Sequence, residues 1–389
     1  MLDAIGSEIA LKQVATAESE TKLNDAINYT INLNMHMLRL ITKTGESFVS
    51  SPLALTTSLV SMVAAMEGEA RSQLSKALFD LDEISNEEEY LMLLSMHFFL
   101  HSSLGDKNTN MKLKPYFFIN ENHTISPAYE KLFAQYLGGE IQITSNTGID
   151  AQINQLVGSQ LSVEMEIVGI DKYSDVFLIG LTSFTPLWKH AFERSEQFLQ
   201  FYNEDSTVSS VAFLYGDGKF RFHQDKELKC AMIEMPLRWE NTSVVFILPD
   251  EDIELSVLME SNFTSEMLKV CSLPLKDVRV WIPEFRVRTK INMKPFLCEL
   301  GIDLLFNEEG KCSRVSEVSS ANNLVLHDLI QICVLEVRAN YLPKPKNEER
   351  VKGFEKFICN RPFLFAVIEE IEGTRVVLYY GIVNKIFED

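Results

Sequence analysis

Apolar residues at Ile27, Ile31, Met35 and Leu38 recur at the spacing of one helical face, and Gly45 supplies a stop. These positions predict a first core helix. Ser51 offers a side-chain cap ahead of Pro52, whose fixed φ and missing N–H suit a first helical turn, so a second helix is expected through LVSMVAAM to a break at Gly68. RSQLSKAL predicts a third, short one. Later the period changes. SVVFIL (243–248) contains five consecutive apolar residues, the pattern of a strand covered on both faces, and LPDE ends it. KDVRVWIPEFRV alternates more, LIQICVLEV (329–337) reads as a buried strand, and PFLFAVI (362–368) reads the same way before GTRVVLYYG. Helices dominate the first part and strands the remainder, with no repeat, low-complexity tract or Gly/Ser linker. The expected class is α+β, as one domain over 23–389 behind a polar, aperiodic tail over 1–22.

Composition narrows the function classes. Of 389 residues 46% are hydrophobic, enough for a sizeable core, and the formal charge of -19 repels phosphate backbones and anionic lipid heads. Nucleic acid, membrane surfaces and heparin-like polyanions are therefore poor partners. No segment reaches the ~18 apolar residues needed to cross a bilayer, and the longest near-apolar run, LMLLSMHFFL (91–100), fits a core element. The acidic stretch DLDEISNEEEY (80–90) reads as a solvated helix edge. The N-terminus lacks the basic start and apolar middle of a secretory signal, whereas sequons at Asn28, Asn122, Asn241 and Asn262 suit a secreted surface. An extracellular protein is expected, with a cytoplasmic one as the alternative.

Reactive chemistry is sparse. The six cysteines, Cys230, Cys271, Cys298, Cys312, Cys333 and Cys359, show no zinc-ligand spacing, and several sit in apolar runs where a buried free thiol acts as a small hydrophobe. The sequence has no GxSxG elbow, no HExxH, no Walker loop and no GxGxxG. His97 and His101 stand four apart without a further ligand nearby. No catalytic residue, metal or cofactor is expected.

Several segments, in this order and spacing, carry a resemblance: FVSSPLALTTSLVSMVAAMEGEARSQLSKAL (48–78), INQLV (153–157), LTSFTPLWKHAF (181–192), CAMIEMPL followed by SVVFILPDE, VWIPEFRV, LGIDLLF (300–306) and NRPFLF (360–365). Over about residues 23–386 the chain resembles a serpin. The resemblance implies three β-sheets surrounded by about eight to nine helices, with an exposed reactive-centre loop near 338–357. In a typical serpin a target protease cuts this loop, the N-terminal half inserts as a new strand in the main sheet, and the acyl-linked protease is dragged away and distorted. The acidic 80–90 stretch lies near where heparin-binding members carry a basic helix, so polyanion activation is not expected.

Insertion requires a hinge of small residues, which inhibitors supply as a Gly-Thr-Glu-Ala-Ala-Ala type run. Here Tyr341 stands where the hinge glycine is expected, followed by Leu342, Pro343, Lys344, Pro345 and Lys346. Proline has no N–H to give to a ladder, and an unpaired ammonium in a sheet interior costs several kcal/mol. The same prolines equally suit a stiff, extended surface loop. Counting back from PFLF puts the scissile bond near Arg350, Val351 or Lys352; a trypsin-like protease with an acidic pocket would accept Arg350 or Lys352, although basic residues are ordinary in a solvated loop. Segment matching also places Ser51, Ala54, Gly180 and Gln331 where inhibitory members hold two serines, an asparagine and a histidine that govern sheet opening, and Trp188 at the tryptophan under the sheet top. The expected function is that of a non-inhibitory, substrate-like, binding or scaffold serpin, a monomer that meets a trypsin-like protease or another protein through its loop. A suicide inhibitor of a trypsin-like protease is the first alternative, and a carrier of a small apolar ligand the second.

Overall fold

The computed structural model describes residues 36, 45–104, 110–145, 149–161, 176–260, 263–316, 324–339, 355–371 and 374–387. The 1–22 tail and the first predicted helix, His36 apart, lie outside them. Helix α1 (Pro52–Ala65) starts as its cap predicts: Ser51 is extended, at φ -119° and ψ 107°, and its Oγ accepts from Ala54 N. Every residue of α1 is buried, so this helix is the spine of the molecule. It stops at Ala65, and Gly68, at φ 73°, turns the chain into α2 (Gly68–Phe79), which is longer than the short helix expected. Helix α3 (Asn86–Leu104) holds the apolar run from Leu91 to Leu100.

The start of α3 corrects the reading of the acidic stretch. Glu87 is exposed, but Glu89 is buried, 2.5 Å from Arg71 Nη2 and 2.8 Å from Arg314 Nη1. The helical turn that presents Glu87 to water carries Glu89 inward, and two arginines supply the counter-charge that lets a carboxylate stay there. Among the described residues the remaining α-helices are α4 (Pro127–Leu137), α5 (Ile149–Leu161), α6 (Leu255–Glu260), α7 (Phe263–Val270) and α8 (Lys294–Glu299).

Sixteen strands build three sheets among the described residues. The largest runs β1 (Phe48–Ser50), β16 (Thr374–Val383), β15 (Phe363–Ile371), β10 (Thr242–Pro249), β9 (Cys230–Pro236), β8 (Phe213–Asp225), β11 (Leu275–Pro283) and β14 (Glu355–Ile358), with β5 (Glu193–Arg194) paired to β8. A ribbon joins β6 (Leu199–Tyr202) to β7 (Val208–Val211). The five-stranded sheet has the order β12 (Phe285–Asn292), β13 (Leu326–Val337), β4 (Val176–Phe184), β2 (Met111–Asn120), β3 (Glu140–Thr144).

In that sheet β4 and β13 are parallel neighbours, with Gln331 opposite Gly180 and Cys333 opposite Thr182. Both faces of this seam are covered. On one, Phe177, Ile179, Leu181, Ile330, Ile332 and Val334 pack with Ile149, Ile153, Val157 and Leu161 of α5. On the other, Leu178, Leu329, Cys333 and Leu335 join the main core. Gly180 sits so close to α1 that a Cβ there would lie 3.0 Å from Ser58 Oγ. Double coverage is why LIQICVLEV reads as an unbroken apolar run rather than an alternating one.

Candidate functional site: the loop root and the seam beneath it

Strand β13 ends at Val337 and β14 begins at Glu355, so the connecting loop is the element on which the sequence argument turns. The hinge residues Tyr341, Leu342, Pro343, Lys344, Pro345 and Lys346 and the scissile candidates Arg350, Val351 and Lys352 lie outside the described residues. The far boundary needs correction. Residues 355–357, expected in the loop, belong to β14, where Glu355 pairs with Val278 and Phe357 with Val280, because Phe357 is an apolar residue that the core takes in.

The near end of the loop is held at two points. Trp188 is fully buried, makes an edge contact with Phe192 and donates from Nε1 to the carbonyl of Arg338 at 3.1 Å. Ala339 N donates to Glu284 Oε1 at 3.0 Å, and Arg194 Nε donates to Glu284 Oε2 at 2.7 Å. Trp188 thus touches the first residue beyond β13. Glu284 was missed, since one acid between two strands carries no distinguishing pattern.

Beneath the seam the fold brings Ser51, Ala54, Gly180 and Gln331 together. Gln331 is the hub: its Oε1 accepts from Ser50 Oγ at 2.6 Å and from Ser51 N at 3.2 Å, and its Nε2 donates to Ser51 O at 2.8 Å. Ser51 Oγ accepts from Ala54 N at 3.2 Å and donates to Leu378 O at 2.8 Å. Ala54 and Gly180 contribute no side-chain polar atom, so the cluster's contacts centre on one glutamine amide, able to donate and accept at once. Ser50 was not singled out from the sequence, although it directly precedes Ser51. One strand-width away, Thr182 Oγ1 donates to Lys112 O at 2.9 Å and accepts from the hydroxyl of Tyr379. Burial pushes that phenol well above its ordinary pKa, which keeps it a donor.

Other candidates stand apart from this site. Asn122 and Asn241 are both exposed, the latter in a turn at φ 66°, while Asn28 and Asn262 lie outside the described residues. All six cysteines are free thiols, five of them buried and Cys298 half-buried. His97 and His101 have ring centroids 6.1 Å apart, and among the described residues no group of three or more His, Cys, Asp or Glu could hold a metal ion. No helix among them is long and apolar enough to cross a membrane.

A five-stranded sheet with a closed parallel seam, a polar hub beneath it and a long connection leaving an inner strand of that seam defines the serpin class of protein. The family model described as "Serpin (serine protease inhibitor)" matches residues 28–386. The chain belongs to the serpin family. It is 23% identical to intracellular coagulation inhibitor 2 of Tachypleus tridentatus, covering 95% of this chain and 92% of that one. It is 24% identical to ovalbumin of Coturnix japonica, covering 86% and 92%. Among solved structures, mouse protein-Z dependent protease inhibitor superposes with a TM-score of 0.79 at 19% identity, covering 95% and 99%. Serpin-12 of Manduca sexta gives 0.76 at 16%, covering 93% and 98%.

Proposed function

We propose that this serpin offers its loop to trypsin-like proteases or other proteins outside the cell, as a substrate-like or binding member that does not trap what cuts it. The observation that carries this reading is the double burial of the β4–β13 seam. A segment that follows β13 and folds back between the parallel strands runs antiparallel to both, so its successive side chains enter the α5 cluster and the main core by turns. Lys344 and Lys346 share one parity and Pro343 and Pro345 the other. Whichever register is chosen, two ammonium groups enter a buried apolar face and two ladder N–H groups are missing. Each buried partner left without its hydrogen bond costs about 1–3 kcal/mol, and an unpaired charge costs more.

The suicide-inhibitor reading draws on the same seam, which is closed by direct β4–β13 pairing and stands next to the loop root. Incubation with trypsin, read on a denaturing gel and in a thermal melt, separates the two. Cleavage near Arg350 or Lys352 with no heat-stable covalent complex and no rise in melting temperature is expected. A covalent complex, or a nicked protein that melts far higher, overturns the proposal. A variant with Pro343, Lys344, Pro345 and Lys346 all changed to Ala serves as internal control: it should gain thermal stability once cut.

A further inference from the structure

We infer that a cavity at the root of the loop is a binding site for an amphipathic organic anion, held by Arg286, Arg288 and Arg338 with its apolar body against Phe387. The cavity measures about 1060 Å³, the size range of pockets that take small organic ligands. Its wall includes the outermost strand of the five-stranded sheet, β12, on which Arg286 and Arg288 are exposed alternate residues and so point the same way.

The charges around the cavity do not all pair off. Basic and acidic residues line it in equal number, five of each. Arg194 with Glu284, at 2.7 Å, and Lys385 with Asp205, at 2.6 Å, close on each other. Of the three arginines from β12 and the loop root, Arg286 binds Glu336 at 2.6 Å and Arg338 reaches the same carboxylate only at 3.9 Å. Arg288 has no ion-pair partner among the described residues. Two guanidinium groups therefore share one carboxylate and the third has none, in a chain whose net charge is -19. Such forks match carboxylate, sulfonate or phosphate oxygens. Glu46 and Glu204 also line the cavity, and both contact Asn384 through their backbones.

An apolar surface accompanies the positive one. Phe387 is 73% exposed, the most exposed of the large hydrophobic side chains among the described residues, with Lys385 Nζ 5.4 Å from its ring centroid, and the buried Phe285 and Val287 of β12 also line the cavity. A flat apolar body laid on Phe387 would place its anionic head toward the arginines, and Arg338, the first residue of the loop, would be among its contacts. This site does not depend on whether the loop can trap a protease.

The test uses 8-anilinonaphthalene-1-sulfonate, an aromatic anion whose fluorescence rises in apolar surroundings. The full-length protein should bind it saturably at one dominant site. Arg288→Ala and Phe387→Ser should each weaken that site about tenfold with melting temperatures unchanged. Leu275→Ser, which alters an exposed apolar residue outside the cavity, should leave it intact. Inorganic sulfate at matched ionic strength should compete weakly, through the head group alone. Absence of saturable binding, or equal affinity in wild type, Arg288→Ala and Phe387→Ser, overturns the inference.

Discussion

Replacing Gln331 by Leu keeps the volume at the centre of the seam and removes its polar hub. Ser51 N then loses its acceptor at 3.2 Å and Ser50 Oγ the acceptor at 2.6 Å, whereas Ser51 O keeps the N–H of Leu55 at 3.1 Å. Two deeply buried groups lose a partner, and at about 1–3 kcal/mol each, partly offset by the leucine's own apolar burial, the net loss is about 2–4 kcal/mol. The midpoint of guanidinium unfolding, followed by tryptophan fluorescence at unchanged m-value, measures it. The loss should be shared with Ser50: in a double-mutant cycle, Ser50→Ala and Gln331→Leu should be non-additive by about 1 kcal/mol or more. Amides of residues 176–184 and 326–337 should also exchange faster with solvent than those of 363–371. A stability change below about 0.5 kcal/mol, strict additivity, or unaltered exchange along the seam would refute the assignment of Gln331 as the group that holds β13 down.

Three further outcomes follow from the same physics. Burial pushes the thiols of Cys230, Cys271 and Cys312 up to about 12, so the native protein at pH 8.5 should take up iodoacetamide only at Cys298, against six adducts when unfolded, as mass spectrometry would count. Because these pKa values are raised on folding, the stability they reflect is complete below the unfolded thiol value of about 8.5 and declines as pH rises from there to about 12. A stability curve flat across that interval would contradict it. Glu89→Gln should cost about 3–5 kcal/mol by leaving Arg71 and Arg314 without a buried counter-charge, whereas exposed Glu87→Gln should cost less than about 0.5; equal effects in denaturant titration would restore the solvated-edge reading.

Much of the architecture was legible because the strongest signals are local. The Ser51 cap and Pro52 fixed the start of α1, and continuous apolar runs marked β10, β13 and β15, strands that have cover on both sides. The family resemblance, carried by dispersed segments, singled out Trp188 and Gln331, both of which are buried. What was misread depends on distant partners. Glu89 looked solvated because its stretch is acidic, and only the packing of α2 and the Arg314 turn against α3 reveals why it is inside. Ser50 and Glu284 carry no pattern of their own: the first becomes polar glue only when Gln331 arrives from far along the chain, the second only when Arg194 and Ala339 meet it. The end of the loop was misjudged for a related reason, since Glu355–Ile358 is a four-residue strand whose pairing with β11 leaves no periodicity long enough to read.

The tethers under the seam converge on one stretch of β16. Gln331 ties β13 to Ser51, whose hydroxyl bonds Leu378 O, while Thr182 ties β4 to the hydroxyl of Tyr379, the next residue. At the top, Trp188, four residues beyond the end of β4, binds the carbonyl of Arg338 just beyond the end of β13. The two strands are therefore fastened to adjacent residues of a deeper sheet, β13 through Ser51 and β4 directly, and to each other. Widening the seam by one strand must break at least one fastening on either side, and Gln331, Thr182 and Tyr379 among the released groups are buried. An incoming strand has to replace those bonds with its own. A segment of small residues could do so through its backbone, whereas Pro343 and Pro345 withdraw two donors and Lys344 and Lys346 add charge. On the proposed function, resistance to insertion would have two sources, the bonds that hold the seam and the poverty of what would fill it, and only the second would lie in the loop.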